Sequence, residues 1–204
     1  MKQKIQGFTV IEVVLVLAIA GLIFAGAFIA LPALWANQRD ADRKSNVTKV
    51  VSAIKTYQTN NSRGALPTDD GEHTTIEIVR SASPSAGTWT YLLKNFADKN
   101  NDLADPATAT YHFSIFECLD AGGKALTVGA PCKGNGPMMA YNFSDMNLEE
   151  GFRSNVPYSS MADWILIVKS AVCNGNVAVK SNNPRNVAVL QVMEQGHVFY
   201  CANT

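Results

Sequence analysis

The sequence has little charge. Only 17% of its 204 residues are Asp, Glu, Lys or Arg, against about a quarter in an ordinary soluble domain. Acid and base balance at 17 residues each. No run or stripe of Lys and Arg appears, which removes the electrostatic footprint of a nucleic-acid binder. Catalytic signatures are also missing. There is no G-x-S-x-G, Walker loop, H-E-x-x-H or G-x-G-x-x-G, and no nucleophile stands beside a recognisable base. The three histidines, His73, His112 and His197, are scattered without metal-ligand spacing. His112 and His197 fall in strand-like runs and read as surface or core residues. Nothing in the chain calls for a cofactor. No cysteine occurs in the first half and no C-x-x-C pair occurs anywhere, which argues against a zinc site.

The apolar residues make up 47% of the chain, and much of that share lies in the first 36 positions. The chain opens Met1-Lys2-Gln3-Lys4-Ile5-Gln6-Gly7, short, polar and basic. Val13 to Ala36 then runs for 24 residues without a charge. At about 1.5 Å per residue a helix of that length crosses a hydrocarbon layer of roughly 30 Å. Lys2 and Lys4 would stay on the cytoplasmic side and the bulk of the chain would lie outside. A cleaved secretory signal fits poorly: its apolar region is shorter, and Leu34-Trp35-Ala36 puts a large residue where a small one is needed. A plain single-pass anchor fits the length but leaves Glu12 unexplained. A carboxylate at the centre of a span costs about 2.5–3.5 kcal/mol on insertion scales, and near the end it is tolerated when partnered. Thr9-x-x-Glu12 has the spacing of a capping box, and an acid in the first turn suits the helix dipole. That local role accounts for Glu12 but not for a polar leader that stops at Gly7 before a large apolar residue.

Gly7-Phe8-Thr9-Val10-Ile11-Glu12-Val13, with a short basic leader before it and an apolar helix behind it, resembles the processing motif of type IV prepilins. The resemblance is carried by about a dozen residues and extends along the helix to roughly residue 60; the globular part has no motif of that family. It implies that a membrane peptidase cuts after Gly7, that Phe8 becomes the N-methylated first residue, and that Glu12 is the glutamate at the fifth mature position, which pairs with a neighbour's N-terminal amine during assembly. Removing the first seven residues takes Lys2 and Lys4 and leaves 15 basic against 17 acidic residues. Gly21 and Gly26, with Ala18, Ala20, Ala25 and Ala27, give a small-residue surface suited to close helix approach, although such residues are also ordinary in membrane spans. Pro32 is expected to kink or locally melt the helix because it lacks a backbone donor, and in related pilins this region unwinds in the filament.

After Trp35 the chain turns polar, from Asn37 to Lys44. Val47, Val50, Val51, Ile54 and Tyr57 then recur at helical spacing. This predicts one continuous helix, apolar all round in its first half and amphipathic in its second. The expected division is a leader over 1–7, a membrane or filament-core helix over 8–36, the amphipathic half over 37–60 and a globular head over 61–204. Residues 60–75 and 81–87 read as loops, Ile76 to Arg80 as a short helix or strand, and Trp89 to Phe96 as a helix. Strand character appears at Tyr111–Cys118, Met138–Phe143, Trp164–Val172, Val187–Val192 and Val198–Cys201, with Gln195-Gly196 placed to turn a hairpin. The expected fold is therefore α+β: a long N-terminal helix packed on a mainly antiparallel sheet, as in pilins.

The cysteines Cys118, Cys132, Cys173 and Cys201 are even in number and follow an export segment, so two disulfides are the better reading, against buried thiols in a reducing compartment. Of the three pairings, Cys118–Cys132 with Cys173–Cys201 is the expected one, because each would close a hairpin or strand pair. Asp98, Asn100, Asp102 and Asp105 space oxygens like part of a calcium loop, but lack its glycine and terminal glutamate, and a polar turn before Pro106 accounts for them equally. Asp69, Asp70 and Glu72 read as a solvated acidic loop.

The leading functional expectation is a structural subunit that polymerises with itself into a type IV pilus for adhesion, twitching motility or DNA uptake. The resemblance implies a prepilin peptidase, an assembly platform and a motor ATPase as partners, with the chain first in the cytoplasmic membrane and then in a surface filament. A pseudopilin of a type II secretion or competence system is the near alternative. A membrane-anchored extracellular enzyme or binding protein, or a secreted domain cut near Ala36, is the distant one.

Overall fold

The computed structural model describes residues 8–68, 75–77, 87–98, 103–107, 111–119, 124–132, 163–195 and 198–204. The leader with Gly7, the strand expected at Met138–Phe143, the Asp69–Glu72 loop, Asn100, Asp102, His73 and His197 lie outside them.

Helix α1 runs unbroken from Val10 to Asn60, with Pro32 inside it. The chain forms two compact units, Met1–Gln38 and Arg39–Thr204, and the boundary falls within this helix where the sequence changes from apolar to polar. In the first unit the apolar side chains are open to solvent all round; Phe28 and Ile29 are 74% and 81% exposed.

In the second unit the amphipathic stripe does its expected work: Val47, Val50, Val51, Ile54 and Tyr57 are all buried. They meet a five-stranded sheet of order β1-β2-β3-β6-β7, built from β1 (Thr75–Glu77), β2 (His112–Glu117), β3 (Trp164–Lys169), β6 (Val187–Val192) and β7 (Phe199–Asn203). The period of two along each strand divides the side chains cleanly. Phe113, Ile115, Ile165, Ile167, Val187 and Val189 join the core with α1. Phe116, Leu166, Val168, Ala188, Leu190 and Val192 form a second core on the other face. Strands buried on both faces have no polar alternation, which is why β3 reads simply as Trp-Ile-Leu-Ile-Val-Lys. Helix α2 (Trp89–Leu92), capped by Thr88 Oγ1 accepting from Tyr91 N at 3.3 Å, continues as a wider turn over Leu93–Ala97 and adds Trp89, Leu92 and Leu93 to the α1 core.

Most pairings are antiparallel, but β2 and β3 run parallel, His112 opposite Trp164. A parallel neighbour needs a crossover rather than a tight turn, and residues 118–163 supply that length. The single strand expected at Trp164–Val172 is two. Ser170 has φ 58°, so the chain turns out of the sheet after Lys169 and starts β4 (Ala171–Asn174), which pairs with β5 (Val177–Lys180) in a separate hairpin. Gly175, at φ 60°, makes the turn between them, and this hairpin covers the second core through Ala171 and Ala178.

Candidate functional site

Two regions combine function-bearing residues. The first is the exposed N-terminal end of α1. Thr9 caps the helix through its carbonyl, which accepts from Glu12 N at 3.1 Å. Glu12 Oε2 reaches back to Thr9 N at 3.5 Å and to Thr9 Oγ1 at 3.4 Å. This is the Glu-to-backbone arm of a capping box; the reciprocal arm, from the Thr9 hydroxyl to the Glu12 amide, is replaced by the carbonyl bond. Both side-chain contacts are at the long limit for hydrogen bonds, so the Glu12 carboxylate retains most of its capacity to take a stronger donor. Phe8, Val10 and Ile11 beside it are exposed. A Cβ placed on Gly21 or Gly26 would meet nothing within 4 Å, so the small-residue surface is open for a neighbouring helix. Among the described residues α1 alone is long and apolar enough to cross a membrane.

The second region is a buried ionic cluster in the globular unit, and its helix residues Arg39, Asp40 and Arg43 are ones that the sequence marks only as a polar stretch. Arg43 is fully buried. Its Nε donates to Asp105 Oδ2 at 2.8 Å and its Nη1 to Asp40 Oδ1 at 3.2 Å. Asp40 also accepts the amides of Glu194 at 2.7 Å and Gln195 at 2.9 Å. Arg39 Nε donates to Glu194 Oε2 at 2.7 Å. That hydrogen bond holds the Glu194 carboxyl below its ordinary 4.5; partial burial opposes it, and the charges of Arg39 and Arg43 reinforce it. One turn on, Asn46 Nδ2 donates to Ala104 O at 3.1 Å and to Tyr111 Oη at 3.2 Å, and Gln191 Nε2 donates to the same hydroxyl at 3.2 Å. Burial raises the Tyr111 phenol above its ordinary 10.0 and keeps it neutral. The polar start of the stripe is thus riveted to the Asp105 segment and to the loop after β6.

Two of the four positions of the calcium expectation, Asp98 and Asp105, lie within the described residues. Asp105 is committed to Arg43 and to Ala107 N, 2.8 Å from its Oδ1. Asp98 accepts Leu103 N at 2.8 Å, the local turn role that Asp favours. Among the described residues no group of three or more His, Cys, Asp or Glu could hold a metal ion. His112 lies 3.5 Å from Asp163 and stacks on Trp164, at the start of the parallel pair.

Cys118 is bonded to Cys132 and Cys173 to Cys201, the expected pairing, but not entirely for the expected reason. Cys173 is on β4 and Cys201 on β7, so that bond joins the hairpin to the edge of the five-stranded sheet rather than closing one strand pair. Cys118 and Cys132 are wholly buried within the second core.

Residues 2–28 match the family model described as the prokaryotic N-terminal methylation motif. The N-terminal segment of this chain is therefore similar to that of type IV prepilins. The match takes in Phe8, Glu12 and the exposed apolar turns of α1, and ends before Pro32 and the globular unit. No curated protein and no solved structure matches the chain. The matched motif thus resides in the N-terminal helix and does not extend into the head.

Proposed function

We propose that this chain is the structural subunit of a type IV pilus, cut after Gly7, N-methylated at Phe8 and polymerised through α1 into a surface filament. The observation that carries the reading is the methylation motif at residues 2–28 together with the first part of α1, whose large apolar side chains from Val10 to Trp35 are exposed. Such a surface is stable in lipid or against other apolar helices, and nowhere else. A structural role, rather than an enzymatic one, fits this arrangement.

Cleavage gives Phe8 a free amine, largely protonated at neutral pH. Glu12 lies one turn away with only long local contacts. In a bundle of apolar helices the amine of one subunit and the Glu12 of another attract far more strongly than in water, and a misplaced subunit leaves a lone buried carboxylate, which is penalised. Glu12 therefore acts as a register gauge. Pro32, which removes one backbone donor, is the point at which α1 unwinds on incorporation. A prepilin peptidase, an assembly platform and a motor ATPase are the partners this reading requires. The pseudopilin reading shares the same N-terminus, and abundance of surface filaments separates the two.

The test is the N-terminal mass and sequence of the protein from membrane and sheared-surface fractions. N-methylated Phe8 in both is expected. An intact Met1, or a start near Asn37, would refute the proposal.

A further inference from the structure

A shallow groove of about 400 Å³ lies between the end of α1 and the loop joining β5 to β6. Its walls are built. Gln58 Nε2 donates to Arg185 O at 2.7 Å, and the loop is pinned by Arg185 N to Asn183 Oδ1 at 3.0 Å and Asn183 N to Ser181 Oγ at 3.1 Å. Lys55 and Arg185 both line it. Both are exposed, and among the described residues neither the ammonium nor the guanidinium has an acceptor. Two cations lining one groove form a receptor for a carboxylate, since charge-assisted bonds to an Arg fork are the strong ones.

The same unit carries a matching group. Asp42 is exposed on α1, and among the described residues it has no partner, while the neighbouring Asp40 and Arg43 are bound to each other and to the head. Lys55 lies about 20 Å further along the helix and about 140° round it from Asp42. One partner molecule cannot engage both patches through a two-fold contact. Each copy must offer Asp42 to one neighbour and the groove to another, and a contact of that heterologous kind builds an open helical array wherever its rotation does not close into a ring.

We propose that the Lys55–Arg185 groove receives Asp42 of a second copy of this chain, a head-to-head-neighbour contact that fixes the stagger of subunits. The inference rests on the filament reading above and adds a specific interface to it. The test compares full-length wild type, Asp42→Lys, Lys55→Glu/Arg185→Glu, and the triple variant in cells with the assembly machinery. Sheared filament is measured relative to processed subunit in the membrane. Each charge reversal is expected to lower filament yield about five-fold or more, with processed subunit unchanged, and the triple variant to return to within about two-fold of wild type, because opposite charges are restored. Wild-type yield from either reversal, or no recovery in the triple variant, overturns the proposal. If Lys55→Glu/Arg185→Glu filaments form normally but lose retention on heparin, the groove serves an external polyanion instead. If a reversed chain does not accumulate, Lys55→Gln/Arg185→Gln is measured in its place, with the same expected direction of loss. A wild-type chain that is processed yet forms no filament refutes the filament reading itself, which is a separate outcome.

Discussion

Replacing Arg43 with Ala should be the most damaging single change in the ionic cluster. The side chain is fully buried, and so is its main partner Asp105, at 1% exposure. Asp40 would keep the Glu194 and Gln195 amides, so the damage concentrates on Asp105, which loses its counter-ion at 2.8 Å. Breaking a buried pair from one side costs about 3–5 kcal/mol, because a lone charge remains in a poorly solvated place. That is a large part of the roughly 5–15 kcal/mol that stabilises a typical domain. With a urea slope of about 2 kcal/mol per molar, the midpoint should fall by about 2 M. The assay is urea unfolding of the mature chain in detergent, followed by near-ultraviolet circular dichroism. The companion variant Arg43→Met/Asp105→Leu removes both charges and should recover most of the loss, since apolar replacements of buried pairs are often neutral or better. A loss below about 1 kcal/mol for Arg43→Ala, the range of exposed ion pairs, would show that water reaches the cluster and would refute the argument.

Glu12→Ala should leave processing after Gly7 normal and reduce incorporation into filaments, measured as sheared against membrane-bound subunit; unchanged yield would remove the register role. Glu194 binds its proton less readily in the fold than in the unfolded chain, because Arg39 holds its carboxyl below 4.5. Its contribution is therefore full above that pH and is lost as pH falls through the lower folded value. Melting from pH 6 to pH 3 should show a shallower acid loss in Glu194→Gln, and identical slopes would refute the assignment. Mild reduction followed by alkylation and mass spectrometry should open Cys173–Cys201, half-buried, before the fully buried Cys118–Cys132. Loss of either cross-link should cost about 3–4 kcal/mol on a chain-entropy account of these loop lengths, and simultaneous opening of both would refute the accessibility argument.

Helix α1 was legible because its signals are local. A charge-free run and a stripe at Val47, Val50, Val51, Ile54 and Tyr57 need no knowledge of the rest of the chain. The strand at Val187–Val192 was found at its observed bounds for the same reason. The break at Ser170 was not, because a lone serine at positive φ has no compositional mark, and Trp164 to Val172 is apolar on both sides of it. Strand β5 was overlooked although Asn174-Gly175 is a hairpin dipeptide. The parallel β2–β3 pair depends on a long connection whose path no periodicity encodes. The ionic cluster carries no such local signal. Asp40, Arg43 and Asn46 continue the buried stripe toward the N-terminus, but hydropathy reads charged residues as solvated, and their partner Asp105 stood within a different expectation.

That extension of the stripe has a consequence for how the helix is seated. A ladder of valines and an isoleucine packs against Ile165, Ile167, Val187 and Val189 with little preference between one register and a register slipped by a turn, since similar apolar area would be buried either way. The charges remove that freedom. A slip of one turn, about 5.4 Å, would carry Arg43 away from Asp105 and Asp40 away from the Glu194 and Gln195 amides, leaving buried charges on both sides unpaired. The polar residues therefore fix where α1 sits on the sheet, and the apolar residues supply most of the stability of that seat. In the filament reading every subunit's head must be placed identically relative to its own helix for a regular array to close, so the ionic cluster and Glu12 serve the same requirement. In that reading one sets the register of helix on head and the other the register of helix on helix, each by making the wrong position bury a lone charge.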